Sequence, residues 1–268
     1  MVYPFLFYYG SRALEKSMNT MMENIAVVIL AAGKGTRMKS EKAKVLHEIH
    51  GVPMIHYVVE SASHIAGNHV IVVVGHQREE VKKAVLQSFS ASFAIQEEQK
   101  GTGHAVLCAL PQIESTISHV VILCGDVPLI SSDTLKKLVA KHRSGNAVVT
   151  VLAVSVENPK GYGRMIVNED GSVVRIVEEA DASEEERMIR LVNSGIYCVE
   201  KEFLFHALSE IKSDNVQNEL YLTDIVGIAS HEKKEVGLFE GISPHEVTGV
   251  NTIDDLELVK DLLKAESP

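Results

Sequence analysis

IAVVILAAGKGTRM, Ile25 to Met38, is an unbroken apolar run that opens into a glycine-rich, basic loop. Aliphatic residues without polar alternation suit a strand covered on both faces, as in a parallel sheet. Gly33 and Gly35 follow at the strand's end. Open α/β sheets bind their ligands there, beyond the carboxyl ends of the strands. Glycines let backbone N–H groups turn toward phosphate oxygens with no side chain in the way. Arg37, Lys39, Lys42 and Lys44 charge the same loop positively. An arginine can hold phosphate bidentately, and a lysine acts as a point charge. Two other phosphate loops fit badly. No Gly-Lys-Ser/Thr occurs, as GxxxxGK[ST] requires, and Met38 stands where the dinucleotide fingerprint needs a third glycine. The plainer alternative is a tight strand-exit turn with a solvated basic run.

Similar runs recur at His69 to Gly75 (HVIVVVG) and His119 to Cys124 (HVVILC). Helical spacing lies between them. Ile55, Val58, Val59 and Ala62 share one face, as do Leu135, Leu138, Val139 and His142, with Ser131 or Ser132 as cap and Gly145 as stop. Strand and helix in alternation predict a doubly wound α/β sheet. The second half reads differently. Ala147 to Val154 and Leu191 to Val199 are expected as strands. Arg164 to Val167 and Val173 to Val177 flank Asn168-Glu169-Asp170-Gly171, a hairpin signal. A short exposed helix is expected within Asp181 to Arg190, and further helices near Glu202 to Ile211, Thr223 to His231 and along Leu256, Val259, Leu262 and Leu263. No composition break, repeat or low-complexity tract divides the chain. The expected organisation is an N-terminal extension over residues 1–24 and one domain over residues 25–268, with an added helix on the domain's back as the alternative for the extension.

Hydrophobic residues make up 46% of the 268, which supports a sizeable core, and the formal net charge of −10 argues against a general nucleic-acid or anionic-membrane surface. One local basic loop still suffices for a phosphorylated small molecule. Cys108, Cys124 and Cys198 are far apart and odd in number, so neither a disulfide framework nor a zinc site is indicated, and a cytoplasmic setting is expected. No apolar run approaches the roughly 20 residues that span a bilayer. The aromatic stretch Tyr3 to Tyr9 lacks a basic region before it, against a signal peptide.

Two oxygen-bearing residues could hold a metal. Asp126, in Gly125-Asp126-Val127-Pro128, follows the strand ending at Cys124 and can reach the crevice of the first loop. Mg²⁺ takes hard oxygens, few of them from protein. An Asx-type turn before Pro128 is the alternative. Asn251, in Gly249-Val250-Asn251, could be a second ligand, and a helix N-cap explains it equally well.

Taken in order, LAAGKGTRM (Leu30 to Met38), Lys44-Val45-Leu46, QEEQKGTGHA (Gln96 to Ala105), GDVPLI (Gly125 to Ile130), GYGR (Gly161 to Arg164), IVEEADA (Ile176 to Ala182), VNSGIY (Val192 to Tyr197), NELYLTD (Asn218 to Asp224) and GVN (Gly249 to Asn251) make the chain resemble the nucleotidyltransferases. Within them it resembles the uridylyltransferase half of the bacterial bifunctional enzymes that make UDP-N-acetylglucosamine. The resemblance runs from about Ile25 to Leu263. It implies a Rossmann-like fold with a mixed, mostly parallel sheet, and transfer of uridylyl from UTP to N-acetylglucosamine 1-phosphate. It implies that Leu30, Ala31, Ala32 and Gly33 hold the nucleotide along the backbone. Gln96 would contact the base, with Gly101, Thr102 and Gly125 alongside. Arg37 and Lys44 would hold the triphosphate, and Asp126 and Asn251 would bind Mg²⁺. Gly163, Glu178, Asn193 and Thr223 would line the amino-sugar side. Bland roles compete at several of these: a helix cap for Thr102, a solvated face for Glu178 and Glu179, backbone satisfaction for Asn193. His104 is expected to pack rather than react.

Two departures stand out. Cys124 replaces a tyrosine that the family often carries, which alters one wall of the expected nucleotide pocket. The hexapeptide-repeat acetyltransferase half has no counterpart up to Pro268, so acetyl transfer is not expected of these residues, and a separate acetyltransferase chain becomes a candidate partner. Other sugar 1-phosphates or bases, or a silent nucleotide-sugar-binding regulator, are the competing readings.

Overall fold

A computed structural model describes residues 22–266, so all but the last three residues of the expected 1–24 extension lie outside the described residues. The strands are β1 (Ile25–Ala31), β2 (Glu48–Ile49), β3 (Val52–Pro53), β4 (Val70–Val74), β5 (Ser92–Ile95), β6 (His119–Cys124), β7 (Ala147–Ser155), β8 (Arg164–Val167), β9 (Val173–Val177), β10 (Leu191–Glu200) and β11 (Glu235–Phe239). The α-helices are α1 (Met54–Ala66), α2 (Arg78–Leu86), α3 (Thr102–Ala109), α4 (Ser132–Ser144), α5 (Glu184–Arg187), α6 (Lys201–Glu210), α7 (Asp224–His231) and α8 (Ile253–Glu266).

The main sheet runs β11-β7-β10-β6-β1-β4-β5, with β8 joined to β10 and β9 to β8. β1 lies parallel to β4 and to β6, with Val28 level with Ile71 on one side and Ile122 on the other. β10 alone runs against its neighbours along that path, antiparallel to β6 and β7. The sheet is therefore mixed and mostly parallel, as expected.

The side-chain alternation of a strand divides β1 between two cores. Val27, Ile29 and Ala31 pack with Val72, Leu123 and the faces of α1 and α4, including Ile55, Val58, Leu135 and Leu138. Ala26 and Val28 pack with Ile71, Ile122 and the faces of α3, α6 and α7, including Val106, Leu204 and Ile225. Each Val, Leu or Ile side chain so buried contributes about 1.5–3 kcal/mol. Continuous hydrophobicity was thus the correct sign of a strand with helices on both sides. A third, small core of Met38, Ile49, Met54, Val250, Leu256 and Val259 docks α8 against the loop after β1.

Several boundaries came out as the sequence suggested. Ser131, not Ser132, caps α4 by accepting from the Thr134 N–H at 3.1 Å, and Gly145 ends it. Ser183 and Glu186 form a reciprocal capping box at α5. The Asn168–Gly171 turn closes with Gly171 at φ +83°. Edge strands β5 and β11 and helix α2 carry short or weak patterns and were not singled out. No described helix is long and apolar enough to cross a membrane.

His142 sits in the core behind α4, 2% exposed, with Nδ1 2.9 Å from the Thr150 hydroxyl. Burial pushes its pKa down from 6.5 to about 4, with His119 and Arg143 adding to the effect. The unfolded chain therefore takes up this proton first as pH falls. The stability that His142 contributes is present above pH 6.5 and is lost as the pH falls toward 4. Urea titrations across that window should show a shallower decline for His142→Asn than for the unaltered protein. Parallel curves would remove His142 from the acid response.

Candidate active site

The loop after β1 is built to aim one lysine. Gly35 adopts φ +62°, and a Cβ there would lie 2.6 Å from Lys44 Cβ, so the position needs glycine for conformation and for space. A single 3-10 turn over Thr36–Met38 follows, anchored by Met38 at 2% exposed. The chain then returns past β4, where the Ala43 N–H donates to Gln77 Oε1 at 2.7 Å. Gln77 itself holds φ +49°, a left-handed conformation costly for a non-glycine residue. Val45 and Leu46 are buried directly after Lys44. The backbone on both sides of Lys44 is thereby fixed.

Lys44 Nζ donates to the Asp126 carboxylate, with which it forms a part-buried ion pair, and to Asn251 Oδ1 at 3.1 Å. Arg37 donates to the same Asn251 oxygen at 2.8 Å. Asp126 leaves the end of β6, and its carbonyl accepts from the Val250 N–H at 2.8 Å, which lays the Gly249–Thr252 segment beside it. The turn after Asp126 is closed by backbone, Val127 N–H to the Cys124 carbonyl, while the carboxylate faces Lys44. The N-cap alternative for Asn251 gives way. The Thr252 hydroxyl accepts from the Asp255 N–H at 3.2 Å, and Asp255 accepts from the Asn251 and Thr252 N–H groups, so this box starts α8 and leaves the Asn251 side chain to the two cations.

Two cavities meet here. One, of about 300 Å³, is lined by Leu30, Ala31, Ala32, Gly33, Lys44, Gln96, Gly101, Thr102 and Asp126, among others. The other, of about 380 Å³, is lined by Leu30, Arg37, Thr102, Asp126, Gly163, Glu178, Asn193, Thr223 and Asn251, among others. Leu30, Thr102, Cys124 and Asp126 belong to both. Gly125 lines neither. Its N–H donates to the Leu30 carbonyl at 3.0 Å, and a Cβ there would press on that oxygen, Ile55 and Ala31, so its place is close packing under the first loop.

In the smaller cavity Gln96 is 4% exposed, and its Nε2 donates to the Gly101 carbonyl at 3.0 Å and to His104 Nδ1 at 3.1 Å. His104 thus steadies Gln96. Gly101 turns at φ +101° with Leu220 O 2.5 Å from where a Cβ would stand. The Thr102 hydroxyl accepts from the Leu222 N–H at 3.0 Å rather than capping α3, and so ties NELYLTD to this turn.

In the larger cavity the Thr223 hydroxyl donates to Glu178 Oε1 at 3.0 Å. Burial raises the Glu178 carboxyl above its ordinary range; Thr223 opposes this, and Asp224 and Asp181 reinforce it. The Asn193 side chain donates to the Tyr197 hydroxyl at 2.7 Å and accepts from the Gly195 N–H at 3.0 Å, across a bulge in β10 where Gly195 takes φ +78°. The Cys124 thiol faces the Gly195 carbonyl at 3.6 Å, and burial pushes its pKa up to about 12, Asp126 adding to it, so it stays a neutral thiol and no nucleophile.

Sequence reasoning did not single out Lys160, Tyr162, Tyr197 and Asp255, which also line the larger cavity. Tyr162 and Tyr197 lie inside quoted motifs. Asp255 follows Thr252 at capping-box spacing, a signal that was available. Gln77 gave none. Asp126 and Asn251 bring two hard oxygens to one point, where the Lys44 cation already sits. No cluster of three or more His, Cys, Asp or Glu suited to a metal occurs among the described residues. The pair suits a cation such as Mg²⁺, which draws its other oxygens from phosphates and water.

Residues 27–191 match the family described as MobA-like NTP transferase domain. The bifunctional protein GlmU of Geotalea uraniireducens is 48% identical over 243 residues, which cover 91% of this chain and 53% of that protein. The protein of the same name from Desulfotalea psychrophila is 44% identical over 240 residues, 90% of this chain and 70% of that one. The chain thus spans about half the length of the first relative. Among solved structures, a putative glucose-1-phosphate thymidylyltransferase from Bacillus anthracis superposes with a TM-score of 0.72 at 19% identity, over 89% of this chain and 94% of that one, a likeness of fold. A mostly parallel sheet with a lysine, a carboxylate and an amide gathered at its carboxyl edge, together with these matches, places the chain in the family of MobA-like NTP transferase domains, the nucleotidyltransferases.

Proposed function

We propose that the chain transfers a uridylyl group from UTP to N-acetylglucosamine 1-phosphate and releases pyrophosphate, with Mg²⁺ bound at Asp126 and Asn251. The observation that carries this reading is the convergence of Lys44, Arg37, Asp126 and Asn251 where two cavities join. A nucleotide in the smaller cavity and a sugar phosphate in the larger would bring their phosphates together at that junction. The 48% identity to a GlmU protein over 243 residues, beside the resemblance carried by the first loop, Gln96 and NELYLTD, supports uridine and an N-acetylamino sugar.

The reaction needs no covalent enzyme intermediate. An oxygen of the sugar phosphate attacks the α-phosphorus in line. The bond from that phosphorus to the bridging oxygen breaks, and pyrophosphate leaves with the electron pair. When bound, the metal supplies charge neutralisation on the phosphate oxygens. Lys44 and Arg37 stand against the negative charge that builds there, and the rigid backbone around Lys44 limits reorganisation. Gln96 would read the base edge. Gly163, Glu178, Asn193 and Thr223 would orient the sugar, with Glu178 hydrogen-bonded to Thr223. The reading sets the reaction in the cytoplasm, with a separate acetyltransferase chain as a candidate partner.

Pyrophosphate release should be measured with Mg²⁺ across a grid of nucleoside triphosphates and sugar 1-phosphates. Release with UTP and N-acetylglucosamine 1-phosphate above every other pair is expected. Another preferred pair would move the substrate and keep the chemistry; binding without release by any pair would favour a regulator. Lys44→Ala should lower turnover roughly 10²–10³-fold, the loss of about 2.7–4 kcal/mol typical of one well-placed donor. Near-normal turnover in that variant would remove Lys44 from the mechanism. Gly35→Ala should also cut turnover, because its methyl would occupy the space of Lys44 Cβ. Crystals or spectra showing an unmoved Lys44 in an active Gly35→Ala protein would contradict the packing argument.

A further inference from the structure

A charged group stands behind the wall of the larger cavity without lining it. Arg164 opens β8, pairs in register with Val192 of β10 and Val177 of β9, and is 1% exposed. A guanidinium so deeply buried persists only when it is paired and hydrogen-bonded. Its partners come from three separate segments. One terminal nitrogen donates to the Tyr162 carbonyl; the other donates to Glu179 Oε2 at 2.7 Å and, at 3.4 Å, to the Arg187 carbonyl at the end of α5.

Glu179 completes the arrangement. The same Oε2 that receives Arg164 accepts from the Gly161 N–H at 3.1 Å. The Gly161–Gly163 turn is therefore held twice by one ion pair, at Gly161 through Glu179 and at Tyr162 through Arg164. Its other end is stitched to β10, where the Gly163 carbonyl accepts from the Asn193 N–H at 2.9 Å. Gly161 adopts φ +89° with open space around it, so no side-chain packing holds the turn at that residue. Yet Gly161, Tyr162 and Gly163 all line the larger cavity, and so does Glu178, the chain neighbour of Glu179. Arg164 and the Gly161 N–H also hold the Glu179 carboxyl below its usual range, so the pair stays charged near neutrality.

We propose that the Arg164–Glu179 ion pair is a positioning device for the acceptor substrate: it fixes the Gly161–Gly163 turn and Glu178 as one rigid wall against which a sugar 1-phosphate is oriented. The proposal rests on the reading of the larger cavity as the sugar side. Neither residue touches the substrate. Charge alone does not suffice, because the guanidinium fork reaches Tyr162 and Glu179 from different nitrogens, which a lysine cannot reproduce.

Two variants of the full chain test it. Glu179→Gln removes the charge at a partly exposed position and should fold. Arg164→Lys keeps the charge and loses the fork. Amide hydrogen exchange reads the wall without any substrate. In Glu179→Gln the amides of residues 161–163 should exchange at least about tenfold faster, while those of β1 and β6 stay as they were. In steady-state pyrophosphate release, both variants should raise the KM for the sugar 1-phosphate by about tenfold or more, with the KM for the nucleotide within about twofold and kcat reduced less than the sugar KM is raised. Unchanged exchange at 161–163, exchange accelerated equally in the core strands, or both KM values rising together would overturn the proposal. If the unaltered protein turns over no sugar 1-phosphate, the functional reading fails, and the exchange measurement still decides whether the ion pair holds the wall.

Discussion

Lys44, Asp126 and Asn251 meet at one point although 82 residues separate the first two and 207 separate the first from the last. An ammonium group between a carboxylate and an amide oxygen is a short-range arrangement; it tolerates little displacement of any of the three segments that supply it. The rest of the molecule can be understood as what this requires. Parallel pairing of β1 with β6 brings Leu30 level with Cys124, so the first loop and Asp126 leave the sheet side by side. The small core around Met38, Met54 and Leu256 presses α8 against the first loop, and the Thr252–Asp255 box sets where that helix starts. Asn251 therefore arrives with its side chain free to face the cations.

The same constraint accounts for residues with no evident chemistry of their own. Gly35 is small because Lys44 Cβ occupies the space a methyl would need. Gln77 holds a left-handed backbone and uses its side chain on Ala43, one residue before Lys44. Gly125 has no side chain because the Leu30 carbonyl and Ile55 close over it. Backbone strain and close packing here serve the placement of charge. The cavities on either side share Cys124, whose buried thiol stays neutral between them.

Local patterns were informative where a residue's role depends on its immediate neighbours. Unbroken β-branched runs marked β1, β4 and β6, because burial on both faces leaves no polar alternation. Ser131 and Gly145 marked the ends of α4, because caps act within a turn. The glycines and cations after β1 marked the loop that brings Gly33, Arg37 and Lys44 to the two cavities, because glycine and cation content is a local property. Edge strands β5 and β11 escaped, since a short strand with one open side carries too little pattern. The same is true of the Asn193–Ile196 bulge in β10, which depends on its partners rather than on its own residues.

By itself the sequence determined the inner strands and most of the helices, the basic glycine-rich loop, and a set of polar residues in ordered motifs, since these follow from composition and near-neighbour spacing. Tertiary structure alone removed the cap readings of Asn251 and of Thr102, because whether a side chain caps its own helix is unknown until its direction is known. It alone buried Arg164 behind the cavity and gave Glu179 two partners, a pairing between the start of β8 and the turn after β9 that no local pattern encodes. The physical reason is the same in each case: a hydrogen bond between distant segments depends on how the chain packs, and packing is a property of the whole sheet.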